Sequence, residues 1–414
     1  MREIKRVWFV SHYSMPPKYE MRIKTQMYAH YLQKLGIECL IFSASTIHNT
    51  DINLITDKTP YIERQYDDLR FVHIRCSQYT GNGIKRIKNM LQFATAFKKI
   101  ACKFDLPDAV VADVNCVNYG PVYQFCKKHK IPMFVDMRDL WPMSIVEYYK
   151  FKNSNPLIRY LYHREKKMYK HVNGTIFSME GGKDYICDKG WAGLGLEKFH
   201  YINNGVDIQK FYKEIQSNAF LDADLDDEKT FKVVYAGSIR TANNLKTVIE
   251  AAEKIKDEKQ IKFLLYGDGD DRPLLEKYCK EKNLTNVIFK GQVEKKYVPY
   301  ILSRCDLSIL NYKKAKTLKY GGSQNKLFEY LAAGCPVLLT VDMNYNIVTQ
   351  NNCGVALEEP SPNEIAQAVL SFSKMGKMEL QAMGERAKRI AAEYDFKVLT
   401  DRLLTIIKGE IKNG

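Results

Sequence analysis

Short apolar runs alternate with helix-forming stretches along this chain, and halfway along the pattern starts again. In the first half, residues 7–10, 38–42, 109–112, 133–135 and 175–177 read as short strands. Helical stretches lie between several of them, for example 23–35 before Gly36. In the second half, 232–235, 262–266, 287–289, 307–310 and 336–340 are the strands, and 245–255, 272–283 and 294–303 the helices. Strands alternating with helices require a parallel sheet covered on both faces. The expected fold class is therefore α/β, with two Rossmann-like domains facing each other across a cleft. Ligands of such sheets bind beyond the carboxyl ends of the strands. Turn-rich 201–207, with Asn-Gly inside it, marks the break. The expected domains are 1–204 and 205–396, with a last helix at about 397–414 packing back on the first. The acidic stretch 221–228 reads as an exposed loop or a short linker extension.

At 414 residues, two domains are expected rather than one. No run of eighteen apolar residues exists, so no transmembrane helix is expected. The N-terminal apolar run, 7–10, is too short for a signal peptide and suits a first strand. Ten cysteines are scattered with no C-x-x-C pair, which suggests a reducing, cytoplasmic setting. No H-E-x-x-H or Cys/His cluster points to a metal. A G-x-G-x-x-G after the first strand of either half is absent, which argues against a nicotinamide dehydrogenase.

The net charge of +15 attracts polyanions but does not choose among nucleic acid, anionic lipid and phosphorylated substrates. No basic–aromatic motif of nucleic-acid type is present, so no nucleic-acid partner is expected. Residues 84–103 are basic, with apolar residues at 87, 90, 91, 94, 97 and 100 on one helical face. That face either meets the core or lies on an anionic membrane surface, and the Tyr/Arg/Lys-rich 159–170 adds to the second reading.

Residues 320–340 carry the most chemistry. Gly321 and Gly322 open a loop, Ser323 and Asn325 are candidate caps, and 326–333 looks helical. Gly334 and Pro336 stop that helix, and an apolar strand follows. A Gly-rich loop feeding a helix start offers free N–H groups and partial positive charge, which suits phosphate. Lys326 adds a full charge, and Glu329, three positions on, can accept hydrogen bonds from ribose hydroxyls. An N-cap with a solvated Lys–Glu pair is the alternative. The first strand of the second half runs into Gly237, Ser238 and Arg240 at the same sheet edge. There Arg240 is either a bidentate diphosphate donor or a solvated loop arginine.

The segments 236–252 (A-G-S-I-R-T-A-N-N-L-K-T-V-I-E-A-A), 264–269 (L-L-Y-G-D-G), 289–293 (F-K-G-Q-V) and 325–337 (N-K-L-F-E-Y-L-A-A-G-C-P-V) resemble the nucleotide-binding domain of family-4 retaining glycosyltransferases of GT-B fold. The linker N-N-G-V-D (203–207) has its place in that pattern. The blocks 11–22, 81–94 and 136–147, the last containing R-D-L-W-P, resemble one branch, the O-antigen and capsule transferases that move N-acetylated amino sugars of fucosamine type.

The resemblance implies that a nucleotide-sugar donor, a UDP-sugar, binds the C-terminal domain. A lipid-linked saccharide or polysaccharide acceptor would bind the N-terminal one. It places Glu329 on the ribose and Gln292 and Val293 at the base. Gly237, Ser238, Arg240, Gly267, Gly322, Ser323, Gln324, Asn325 and Lys326 complete the donor site. Arg240, Lys326 and Glu329 are the catalytic candidates. No cofactor and no metal are implied, because helix-start amides and basic side chains do the work of Mg²⁺. Lys18, Arg22, Arg138 and Asp139 are the acceptor-side candidates, though Arg138 and Asp139 also read as a buried salt bridge. Trp141 reads as core packing. The expected location is cytoplasmic, at the inner face of the plasma membrane.

The chain departs from the pattern at four places. Gly321 stands where many members carry a first glutamate. Ser238 and Asn243 replace the usual basic pair, 115–118 lacks the usual histidine, and Glu20 replaces a glycine. Sugar-nucleotide 2-epimerases share the fold, but Gly321 and the R-D-L-W-P block argue against them. A non-catalytic scaffold that binds nucleotide or a partner transferase is the other alternative.

Overall fold

The structure, a computed structural model, describes residues 3–19, 23–48, 50–81 and 83–413. The chain divides into two compact units, 1–203 with 396–414, and 204–395.

The first unit is built on β1 (Arg6–Ser11), β2 (Glu38–Ala44), β3 (Tyr61–Tyr66), β4 (Leu69–Ile74), β5 (Ala109–Asp113), β6 (Met133–Met137), β7 (Gly174–Phe177) and β8 (Phe199–Tyr201). They form one sheet in the order β3-β4-β2-β1-β5-β6-β7-β8. Pairing is parallel except at the edge, where β3 runs antiparallel to β4. Val7 to Ser11 of β1 are all buried, as a strand covered on both faces must be. Trp8 packs on one face against Phe42, Phe97 and Phe125. Phe9 turns to the other face and stacks on Tyr28. Helix Lys24–Lys34 contacts the last helix, Phe396–Asn413, on the Phe9 side. Helices Ile84–Ile100, Tyr119–His129 and Pro156–His171 touch in sequence and form the layer on the Trp8 side.

The second unit holds β9 (Phe231–Ala236), β10 (Ile261–Tyr266), β11 (Val287–Gly291), β12 (Leu307–Leu310), β13 (Val337–Leu339) and β14 (Gly354–Ala356). Its sheet runs β11-β10-β9-β12-β13-β14, with every pair parallel. Val234, Leu264, Leu310 and Leu339 enter one core and Val233, Leu265, Ile309 and Leu338 the other. Consecutive residues thus fill opposite faces, which is why these strands read as unbroken apolar runs.

Several expectations change. β3 has an exposed polar middle and β8 and β14 are three residues long, so they lack the apolar runs that mark the other strands. The 294–303 helix is a 3-10 turn, Lys295–Tyr297, followed by a short α-helix, Val298–Ser303. The acidic stretch is not an exposed loop. It contains a helical turn, Ala223–Asp226, whose Leu225 is fully buried. Lys290 pairs with Asp222 and Asp224, and Lys262 pairs with Asp224 and Asp227. Its acidity therefore answers two lysines on neighbouring strands. Helix Ile84–Ile100 does not turn all its apolar residues to the core. Met90, Phe93, Ala94, Phe97 and Ile100 are buried, while Ile84, Ile87 and Leu91 are exposed.

Candidate functional site

In the second unit the candidate residues gather where β9, β10 and β11 end and the helix Asn325–Ala333 begins. Two hydrogen bonds tie that helix to β9. The Tyr330 hydroxyl accepts from the Ala236 N–H at 3.0 Å, and the Lys326 amine donates to the Tyr235 hydroxyl at 2.8 Å. The helix start carries no side-chain cap, because its N-cap residue is Gln324. Ser323 is not free to cap: its hydroxyl and its carbonyl both accept from the Asn204 amide at 2.8 Å. Asn325 is already the first helical residue. First-turn amides have no acceptor within their own helix. The Gln324 side-chain oxygen is buried here with no hydrogen-bond partner among the described residues.

Lys326 and Glu329 share a helix, but they are not ion-paired with each other. The Lys326 amine lies 4.3 Å from the centre of the Tyr235 ring. Burial brings its pKa down from 10.5 to about 7, with the Glu329 charge pulling the other way. A Cβ built on Gly237 would lie 3.0 Å from this amine, so amine and loop backbone face each other closely. Glu329 instead accepts a hydrogen bond from Lys295, which is half-exposed.

The β9 and β10 loops touch backbone to backbone. Gly267 has φ 136°, and a Cβ there would lie 1.8 Å from the Gly237 carbonyl oxygen. Only glycine fits such a position. The Gly237 N–H donates to the Tyr266 carbonyl at 2.9 Å, and the Gly267 N–H to the Gly291 carbonyl at 2.8 Å. Ser238 is held by Asn243, whose amide donates to its carbonyl at 2.8 Å and its hydroxyl at 3.1 Å. Arg240 is exposed, and among the described residues nothing pairs with its guanidinium. Gln292 is exposed and Val293 partly buried just after β11. Gly321, with φ 90°, closes a 3-10 turn, and Gly322 follows it into the loop. The site thus brings together a loop backbone, a helix start, one poorly solvated amine and an occupied carboxylate.

In the first unit a small hollow lies beyond β1, β5 and β6. Tyr13, Arg86, Asn118, Arg138, Asp139 and Trp141 are among its lining residues. Trp141 is therefore only partly packed, contrary to a core role. Arg138 is tied to the strand carboxylates Asp136 and Asp113 at 3.2 and 3.4 Å, and donates to the Thr25 hydroxyl at 2.6 Å. Asp139 is exposed. Behind Arg138 sits Lys24, fully buried, donating to Asp136, Ser178 and the Ile202 carbonyl at 2.9, 3.0 and 2.8 Å. Burial alone would raise the Asp136 pKa, but Lys24 and Arg138 hold it below its ordinary value. Lys18 is exposed with its amine over the Tyr19 ring, away from any ion pair among the described residues. Arg22 and Glu20 lie outside the described residues. Among the described residues no group of His, Cys, Asp and Glu is placed as a metal site.

Sequence reasoning missed Lys24, Tyr235, Lys295 and Asn204. Tyr235 carried one signal, a hydroxyl at the end of an otherwise apolar strand. The others take their roles from distant partners.

Residues 218–390 match the family model "Glycosyl transferases group 1". A stretch of 155 residues is 28% identical to the Putative colanic acid biosynthesis glycosyl transferase WcaI of Escherichia coli, covering 36% of this chain and 37% of that one. Another, of 152 residues, is 30% identical to the Putative teichuronic acid biosynthesis glycosyltransferase TuaH of Bacillus subtilis, covering 35% of each. The chain thus matches about a third of the length of these curated relatives. Over 99% of its length it superposes on sucrose-phosphate synthase from Thermosynechococcus elongatus, covering 100% of that chain with a TM-score of 0.75 at 15% identity. Anabaena Alr3699/HepE, solved with UDP, gives a TM-score of 0.69 at 12% identity over 98% of this chain and 100% of its own. The fold is GT-B, and its second unit carries the group 1 glycosyltransferase match.

Proposed function

We propose that the chain is a retaining, metal-independent glycosyltransferase. It moves a sugar, an N-acetylated amino sugar, from UDP to a hydroxyl of a lipid-linked or saccharide acceptor in surface-polysaccharide biosynthesis. The observation that carries the reading is the Lys326 amine. It stands at an uncapped helix start against the Gly237 loop, without a carboxylate partner. A cation so placed is costly until an anion arrives. The group 1 match over the same residues supports the reading.

The diphosphate leaving group gains charge as its bond to the sugar breaks. Lys326, Arg240 and the amides of 322–326 take up that charge, and one well-placed donor is worth about 3–4 kcal/mol. Glu329 accepts the ribose hydroxyls as Lys295 gives way. Gln292 and Val293 meet the base. Retention follows the family's front-face route, in which the departing phosphate oxygen takes the acceptor proton. Lys18, Arg22, Arg138 and Asp139 serve the acceptor, with Arg138 fixed for that role by Asp136 and Asp113. Work of this kind belongs in the cytoplasm, at the inner face of the plasma membrane.

The test is thermal unfolding against UDP, GDP, dTDP, CMP, NAD and several UDP-N-acetylhexosamines. Saturation a hundredfold above Kd adds about 2.7 kcal/mol of stability. A UDP-selective shift that Glu329→Ala removes is the expected result, with turnover assays then naming the sugar. No shift with any nucleotide would hand the lead to the non-catalytic scaffold reading, which Gly321 favours.

A further inference from the structure

The loop that leads into the helix Asn325–Ala333 holds a polar side chain without a partner. Gly321 and Gly322 carry no side chain, and Ser323 is held by Asn204. Gln324 follows as the N-cap residue, but its side chain does not cap the helix. Its amide oxygen is buried, and neither end of the amide has a hydrogen-bond partner among the described residues. Turning the amide over exchanges its two ends and leaves both unengaged. A buried carbonyl that gives up water without gaining a donor destabilises the fold. A ligand that brings the matching donor removes that cost.

A thioether stands beside this amide. A Cβ built on Gly322 would lie 2.8 Å from the Gln324 amide oxygen and 2.8 Å from the Met343 sulfur, so these two atoms converge over the Gly322 backbone. The Tyr312 hydroxyl donates to that sulfur at 3.9 Å and helps to hold it. An unengaged amide and a soft apolar group are thus neighbours where Gly322 has no side chain to part them.

In the proposed donor site the ribose lies at Glu329 and the diphosphate at Lys326, nearer the helix start. Gln324 stands further in the same direction, where the group on the far side of the diphosphate, the sugar, comes next. We infer that the Gln324 side chain reads the acetamido substituent of the donor sugar. An acetamido group carries an N–H donor, a carbonyl acceptor and a methyl. The Gln324 oxygen accepts from the N–H, its amide nitrogen donates to the carbonyl, and the Met343 thioether packs on the methyl. A sugar hydroxyl in the same place engages one end of the amide and leaves the thioether uncovered. This role rests on the proposed donor site and adds to it the residue that selects the sugar.

The experiment is calorimetric titration of the full chain with UDP and with two pairs of donors that differ only in this substituent. The pairs are UDP-glucose against UDP-N-acetylglucosamine and UDP-galactose against UDP-N-acetylgalactosamine. The acetamido member is expected to bind about tenfold or more tighter in at least one pair. Gln324→Leu, similar in size but without the amide, brings that ratio to about one. Its thermal midpoint stays at or above the wild-type value, since no internal hydrogen bond is lost. Equal affinity within both pairs overturns the inference, as does a ratio that Gln324→Leu leaves intact. A variant that weakens all five ligands alike, or that unfolds at a lower temperature, makes Gln324 a support of the helix start and overturns it too. If the wild-type chain binds none of the five, the donor-site reading fails and this one with it. Binding of UDP without preference inside either pair sinks this inference alone.

Discussion

Lys326 makes the proposed donor site measurable through a proton. Its amine donates to the Tyr235 hydroxyl, and Lys326 shares its helix with Tyr330 and with Glu329, which Lys295 holds. Burial pushes both tyrosines well above their ordinary values, so neither titrates near neutrality. With its pKa brought to about 7, the amine carries a proton in only about one molecule in ten at pH 8. A diphosphate against it supplies the missing counter-charge and restores the ordinary ammonium. Binding of UDP at pH 8 therefore takes up most of a proton, and at pH 6 much less. Above pH 7 the affinity falls by up to about tenfold per pH unit. Calorimetry in two buffers of different ionisation enthalpy reads the proton number from the slope of binding heat. Lys326→Met serves as the reference, read at pH 8, where the ligand's own phosphate, with a second pKa of about 6, is ionised both free and bound. Uptake that does not change with pH, or that Lys326→Met leaves intact, would refute the reasoning.

Three further outcomes follow from the fold. Gly267→Ala drives a methyl into the Gly237 carbonyl, so urea unfolding of the second unit should show a loss of about 2–4 kcal/mol, and a loss under about 1 would mean the loops can part. Lys24→Met takes from the buried Asp136 its closer cation, leaving only Arg138 among the described residues, and costs about 3–5 kcal/mol in the first unit, part of which Lys24→Met with Asp136→Leu recovers. Burial lowers the pKa of both His12 and His73 from 6.5 to about 4, so they stay neutral in the folded protein while the unfolded chain takes up protons. Stability is whole above pH 6.5 and declines as pH falls towards 4; His73→Gln should flatten that decline, and an unchanged slope would clear His73 of the role.

The sheets were legible because their strands are covered on both faces. Val233, Val234 and Tyr235 each meet a core, so β9 shows as an unbroken apolar run, and the same holds for β1, β10 and β12. The two-domain α/β architecture followed from two such runs of strands and helices, and its GT-B form from the resemblance carried by residues 236–252 and 325–337. What escaped was structure held by partners rather than by composition. β3 is a polar edge strand that exists because β4 pairs with it. The acidic turn folds because Lys262 and Lys290 stand on the strands beside it. A string of Asp and Glu has no local sign of which lysines will answer it.

The candidate site shows the same limit at one residue. Read locally, Lys326 has an obvious partner in Glu329, three positions along one helix face. Such a pair at a surface is worth a few tenths of a kcal/mol, a weak claim on either side chain. The fold makes two stronger ones. Tyr330 anchors the helix to Ala236, and that contact sets the register that brings Lys326 to Tyr235, the residue before it on β9. Glu329 is left on the open side of the helix, where the turn after β11 delivers Lys295. The local pair is therefore split by contacts that reach 91 and 34 residues along the chain. The result is an amine without its counter-charge beside a loop of backbone amides, and it is that separation, rather than the presence of a lysine and a glutamate, that makes the helix start suited to a diphosphate.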